Sequence, residues 1–155
     1  MKVRIKSRAE IEALASEHPF PFKSALISIA DYGDDFAELK YKPDFILQLS
    51  FDDVDGEVFV DELGRKPTED ERRAIEEKYH MLNDKQAEQI ADFYHEIKDK
   101  ANIIICQCEY GMSRSAAVAA AILEYSSHNG IAVFADDRYC PNKNIFKKVF
   151  KAIAR

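Results

Sequence analysis

Two hydrophobic periods alternate along this chain, and their order predicts strands interleaved with helices. Lys2 to Lys6 alternates polar and apolar side chains, the two-residue period of a half-buried strand. Ser24 to Ala30 and Phe45 to Phe51 are further strand-length apolar runs, and Ile103 to Gln107 opens with three consecutive isoleucines. Helical stretches separate them. Ser7 with Glu10 makes a capping box that starts a helix running to Ser16, and His18-Pro19-Phe20-Pro21 ends it. Thr68-Glu69-Asp70-Glu71 opens a charged helix in the same way, and Asn83 to Lys100 carries Ala87, Ile90, Ala91, Tyr94 and Ile97 at helical spacing. Ala116 to Leu123 is apolar on every side, which predicts a helix buried through the centre of the domain and stopped at Asn129-Gly130. Ile131 to Ala135 reads as a short extended segment. Pro141-Asn142 then opens a last helix with Ile145, Phe146, Val149, Phe150 and Ile153 on one face. Glu57 to Lys66 shows neither period and reads as an irregular insertion, a lid or a passive excursion. The alternation implies one α/β domain over residues 1–155, with a central, mainly parallel sheet flanked by helices.

The chemistry concentrates where the isoleucine strand runs out. Cys108-Glu109-Tyr110-Gly111-Met112-Ser113-Arg114-Ser115 places five residues between a cysteine and an arginine, enough to wrap a loop around one tetrahedral anion. Backbone N–H groups of such a loop turn inward as a nest. Gly111 supplies the backbone freedom that the mid-loop reversal needs. Arg114 offers a planar fork for two phosphate oxygens. The helix that follows adds the partial positive charge of its N-terminus, and a cysteine in such a field is held toward the nucleophilic thiolate.

Cys108-x-x-Gly111-x-x-Arg114-Ser115 resembles the signature of the cysteine-dependent protein tyrosine phosphatases, and Ser113 before the arginine is most similar to their small dual-specificity branch. The resemblance implies a phosphatase-like fold and hydrolysis of a phosphomonoester through a phosphocysteine. It implies roles for Cys108 as nucleophile, for Arg114 as phosphate clamp and for Ser115 as helper in breaking the thiophosphate. Glu109, Tyr110, Gly111, Met112 and Ser113 would form the amide cradle, with Tyr110 and Glu109 shaping the rim. Gln107 stands where the family has histidine, so a neutral amide replaces a chargeable ring beside the nucleophile.

A phosphatase of this kind also requires a general acid on a loop after an earlier strand. The strand from Phe45 runs into Asp52-Asp53-Val54-Asp55-Gly56, and the resemblance points first to Asp53, then Asp52, then Asp55. The same run also suits an ordinary solvated turn.

Composition narrows the alternatives. The chain has 155 residues, 46% of them hydrophobic, and a formal charge of −6, which opposes a general nucleic-acid or anionic-membrane surface. No run is long enough to span a membrane, and Met1 to Lys6 lacks the apolar core of a signal peptide, so a cytoplasmic protein is expected. The three cysteines do not suggest a disulfide framework. Cys106 reads as a small buried hydrophobe, and Cys140 is a redox partner for Cys108 only where the fold brings it near. His18, His80, His95 and His128 are scattered, and no Cys/His set has metal-ligand spacing, so neither metal nor cofactor is expected. The expected partner is a phosphorylated protein or another phosphomonoester. A phosphate-binding module without turnover is the competing reading.

Overall fold

Four strands and seven helices make up the fold, the four strands and five of the helices where the sequence predicts them. A computed structural model describes residues 1–155. β1 (Lys2–Ser7), β2 (Ser24–Ala30), β3 (Phe45–Ser50) and β4 (Ile103–Cys108) form one sheet in the order β1-β4-β2-β3, every neighbouring pair parallel. The register pairs Ser7 with Cys108, Ser28 with Gln107 and Ala30 with Ser50. All four carboxyl ends therefore lie along one edge of the sheet, where α/β folds place their ligands.

The strand alternation assigns each face a different helix set. Ala25, Ile27 and Ile29 of β2 and Ile104, Cys106 and Cys108 of β4 enter the large core. α4 (Asp84–Ile97), α5 (Arg114–Ser127) and α7 (Lys143–Ile153) close that core with Ile90, Tyr94, Ile97, Val118, Ile122, Ile145, Val149 and Ile153. Leu26 and Ile105 point the other way and pack on Ile11 of α1 (Arg8–Glu17). Burial of each such side chain is worth about 2 kcal/mol. α5 runs through the middle, with every residue from Arg114 to Ile122 buried. Its alanines let it lie close to the sheet.

The capping boxes form at Ser7–Glu10, at Thr68–Glu71 ahead of α3 (Glu69–Lys78) and at Asn83–Gln86 ahead of α4. Three expectations need correction. Glu57 to Lys66 is not irregular throughout, because Glu57–Leu63 forms the short helix α2, which buries Phe59 against Ile75 and Met81 and ends at Gly64 with φ +68°. Ile131–Phe134 is a helical turn, α6, not an extended segment, and Val133 packs it on Ala116 and Ala120. The left-handed residue ending α5 is His128, with φ +54°, while Gly130 opens α6. No helix is long and apolar enough to cross a membrane.

Candidate active site

Segments following three parallel strands converge at the carboxyl edge of the sheet. Cys108 ends β4, buried, and its Sγ lies 3.1 Å from the Ser115 Oγ in the first turn of α5. The loop between them reverses at Gly111, whose φ is +68°. A Cβ there would lie 2.6 Å from the Ser7 nitrogen and 2.8 Å from the Lys6 carbonyl carbon, so β1 leaves no room for a side chain. Gly111→Ala is expected to lower stability by about 2–4 kcal/mol in urea unfolding, because positive φ and a backbone clash act together. Gly56→Ala is the control, since its Cβ meets nothing closer than 3.8 Å.

None of the N–H groups from Glu109 to Ser113 donates to a protein acceptor, which leaves a row of free donors around the turn. The Glu109 carbonyl accepts from the Arg8 N–H at 3.1 Å, and the Arg8 guanidinium donates to the carbonyls of Asp35 and Phe36 at 2.7 and 3.1 Å. Arg8 thus fixes the loop to the acidic turn after β2.

Arg114 is 4% exposed, and its Nη1 donates to the Phe51 carbonyl at 2.8 Å and meets the Asp31 Oδ1 at 2.6 Å. One nitrogen is thereby committed to the segments following β2 and β3. Its remaining donors stay available for an anion in the loop.

The Asp53 Oδ1 accepts from the Ser113 Oγ at 2.8 Å and from the Asn142 Nδ2 at 2.9 Å. Asn142 also donates to the Val54 carbonyl at 3.1 Å, and its own Oδ1 caps α7 by accepting from the Ile145 N–H at 3.0 Å. Asp53 shares a cavity of about 300 Å³ with Cys108, Arg114 and Ser113. Neither of the other two carboxylates lines it. Asp52 accepts from the Tyr32 N–H at 2.9 Å, and Asp55 accepts from the Glu57 N–H at 2.8 Å, so both serve local turns.

Gln107 is buried with both ends of its amide used: Oε1 accepts from the Ser28 hydroxyl, and Nε2 donates to the Cys108 carbonyl at 3.1 Å. The neutral amide thus ties β2 to the backbone of the cysteine. Cys106 is fully buried, and desolvation pushes its thiol up to about 12, the behaviour of a packed hydrophobe. Cys140 lines the Cys108 cavity, and its N–H donates to the Met112 carbonyl at 2.8 Å. Tyr110, 78% exposed, and Met112, 49% exposed, form an apolar rim. Asp136 does not line this cavity; Arg138 pairs with it at 2.7 Å and holds its carboxyl down at about 2. No cluster of three or more His, Cys, Asp or Glu side chains is arranged to hold a metal ion.

Among solved structures, that of PTPMT1 in complex with PI(5)P aligns with 99% of this chain and 90% of its own, at a TM-score of 0.51 and 12% identity. This is the fold of the cysteine-dependent phosphatases. Tk-PTP in its active form aligns over 99% of this chain and 91% of its own at a TM-score of 0.49 and 18% identity, and another PTPMT1 structure over 99% and 90% at 0.48 and 13%. No protein-family model and no curated protein matches the sequence.

Two residues tied to this site by hydrogen bond or ion pair escaped sequence reading. Asp31 belonged to a turn with no visible tie to Arg114, because the tie exists only once β2 and β4 are neighbours. Asn142 read as a helix start, which it is; its second amide group gave no sign of Asp53.

Proposed function

We propose that this protein hydrolyses phosphomonoesters through a phosphocysteine, as a tyrosine or dual-specificity protein phosphatase. The observation that carries this reading is the convergence of Cys108, Arg114 and Asp53 on one cavity, with Ser115 on the sulfur behind them. The Cys108 sulfur attacks phosphorus, the bond to the leaving oxygen breaks, and Asp53 supplies that oxygen with a proton. Water then attacks the phosphocysteine, the S–P bond breaks, and Asp53 receives the water's proton. The Ser115 hydroxyl stabilises the departing sulfur, and the loop N–H groups with Arg114 hold the equatorial oxygens throughout. The apolar rim of Tyr110 and Met112 suits an aryl phosphate such as phosphotyrosine. The reading also implies a reducing, cytoplasmic setting, because the Cys108 nucleophile acts as a thiolate. PI(5)P, bound by PTPMT1, supplies the second substrate class to test.

The test is hydrolysis of p-nitrophenyl phosphate by the reduced protein with a metal chelator present. Turnover is expected, and Asp53→Asn should lower kcat on the order of 10²-fold with little change in KM. A folded protein that binds inorganic phosphate without turnover on this ester, a phosphotyrosine peptide or PI(5)P would replace the enzyme reading with a binding module.

A further inference from the structure

α7 carries two stripes at four-residue spacing. Ile145, Val149 and Ile153 point inward and are buried. Lys143, Lys147 and Lys151, continued by Arg155 just past the helix, are exposed. Across the 12 steps from Lys143 to Arg155 the basic stripe extends about 18 Å at the helical rise.

The stripe begins at the active site. Lys143 and Lys147 line a cavity of about 490 Å³ that shares Asp53, Ser113 and Cys140 with the Cys108 cavity. Lys147, Lys151 and Arg155 line the next one, of about 530 Å³. The intervening Lys148 is neutralised by Glu76 and Asp84, both at 2.7 Å, and belongs to the structure. Lys143, Lys147 and Lys151 have no carboxylate within ion-pair distance, in a chain whose net charge is −6. The carboxylates sharing these cavities do not discharge them. Glu69 is held by Arg72 at 2.7 Å, Asp55 accepts from the Glu57 N–H at 2.8 Å, and Glu88 pairs with the outermost cation of the stripe, Arg155, at 3.4 Å, so the uncommitted part of the ridge is its three lysines.

We infer that this ridge is a docking surface for an acidic segment flanking the phosphorylated residue of a protein substrate. The inference rests on the phosphatase reading above and names the partner chemistry that reading leaves open. The three uncommitted lysines, Lys143 to Lys151, span about 12 Å, which accommodates three or four extended residues. Carboxylates at alternate positions would meet successive lysines while the phosphate enters the loop. Contacts of this exposed kind set association rate and partner choice and weaken with salt.

The experiment compares kcat/KM for two phosphotyrosine peptides of equal length, one with acidic residues on both sides and one with serines, at low and high ionic strength. Lys147→Glu/Lys151→Glu is run beside the wild type, with p-nitrophenyl phosphate as a substrate too small to reach the ridge. The acidic peptide is expected to be preferred roughly five- to tenfold at low salt, with the preference fading at high salt and in the double variant. p-Nitrophenyl phosphate turnover should be the same in both proteins. Equal kcat/KM for the two peptides, or a preference that survives the double variant, overturns the inference. So does ridge-dependent binding to vesicles of anionic lipid without a peptide preference, which would assign the ridge to a membrane surface. No turnover of any substrate by the wild type instead removes the phosphatase reading beneath it.

Discussion

Cys108→Ser is expected to abolish hydrolysis of p-nitrophenyl phosphate, by roughly 10⁴-fold or more, while leaving inorganic phosphate or tungstate binding close to that of the wild type. The serine oxygen occupies the same buried position, but a neutral hydroxyl is a weak nucleophile without an adjacent base. The sulfur's only hydrogen-bond partner is another hydroxyl, that of Ser115 at 3.1 Å. The anion site is built from other parts. The free N–H groups of Glu109 to Ser113, the Gly111 turn and the Arg114 guanidinium do not depend on sulfur. Turnover and binding should therefore separate. Isothermal titration with tungstate measures the second, and a progress curve the first. Residual turnover within about 100-fold of the wild type would remove Cys108 as nucleophile and leave the loop as a binding element.

The candidate loop was legible because it is local. Cys108, Gly111 and Arg114 lie within one turn of chain, and the strand before and the helix after them follow from Ile103-Ile104-Ile105 and from the alanines after Ser115. Local apolar periods also gave the strands and the long helices. Short elements were lost where long-range packing decides. α6 has only the four residues Ile131–Phe134, too few for a helical period to show, and it exists because Val133 finds Ala116 and Ala120. α2 has one buried residue, Phe59, whose partners Ile75 and Met81 lie beyond the next connection.

Non-local site residues were lost for the same reason. Asp31 reaches Arg114 across 83 positions of chain, and Asn142 reaches Asp53 across 89, so neither pairing leaves a spacing to read. Asp53 stood first of three neighbouring carboxylates by resemblance alone; in the fold it is the one of the three that lines the Cys108 cavity, while Asp52 and Asp55 accept from local turn N–H groups. Gln107 is a further case. Its identity departs from the expected histidine, and only the fold shows its amide spanning from the Ser28 hydroxyl to the Cys108 carbonyl.

Arg114→Lys is expected to damage binding and turnover together, unlike the cysteine variant, with kcat/KM falling on the order of 10³-fold and phosphate inhibition weakening by at least about tenfold. The arginine divides its donors: Nη1 is spent on the Phe51 carbonyl and the Asp31 carboxylate, which fixes the plane of the guanidinium and presents the others to the anion. Lysine has one nitrogen for both tasks. The Asp31 carboxylate, 2.6 Å from the arginine nitrogen, would capture that ammonium and leave the phosphate without its fork. Asp31→Asn should fall between, because the amide oxygen keeps an acceptor for Nη1 but removes the charge that holds it. Its expected signature is a raised KM with a smaller loss in kcat, since a looser arginine weakens ground-state phosphate binding first. Steady-state kinetics of the three proteins, with unfolding curves to establish equal foldedness, distinguish this from general destabilisation. An Arg114→Lys variant within tenfold of wild-type kcat/KM would show that the free N–H groups bear the phosphate charge alone, and Asp31 would then have no clamp to position.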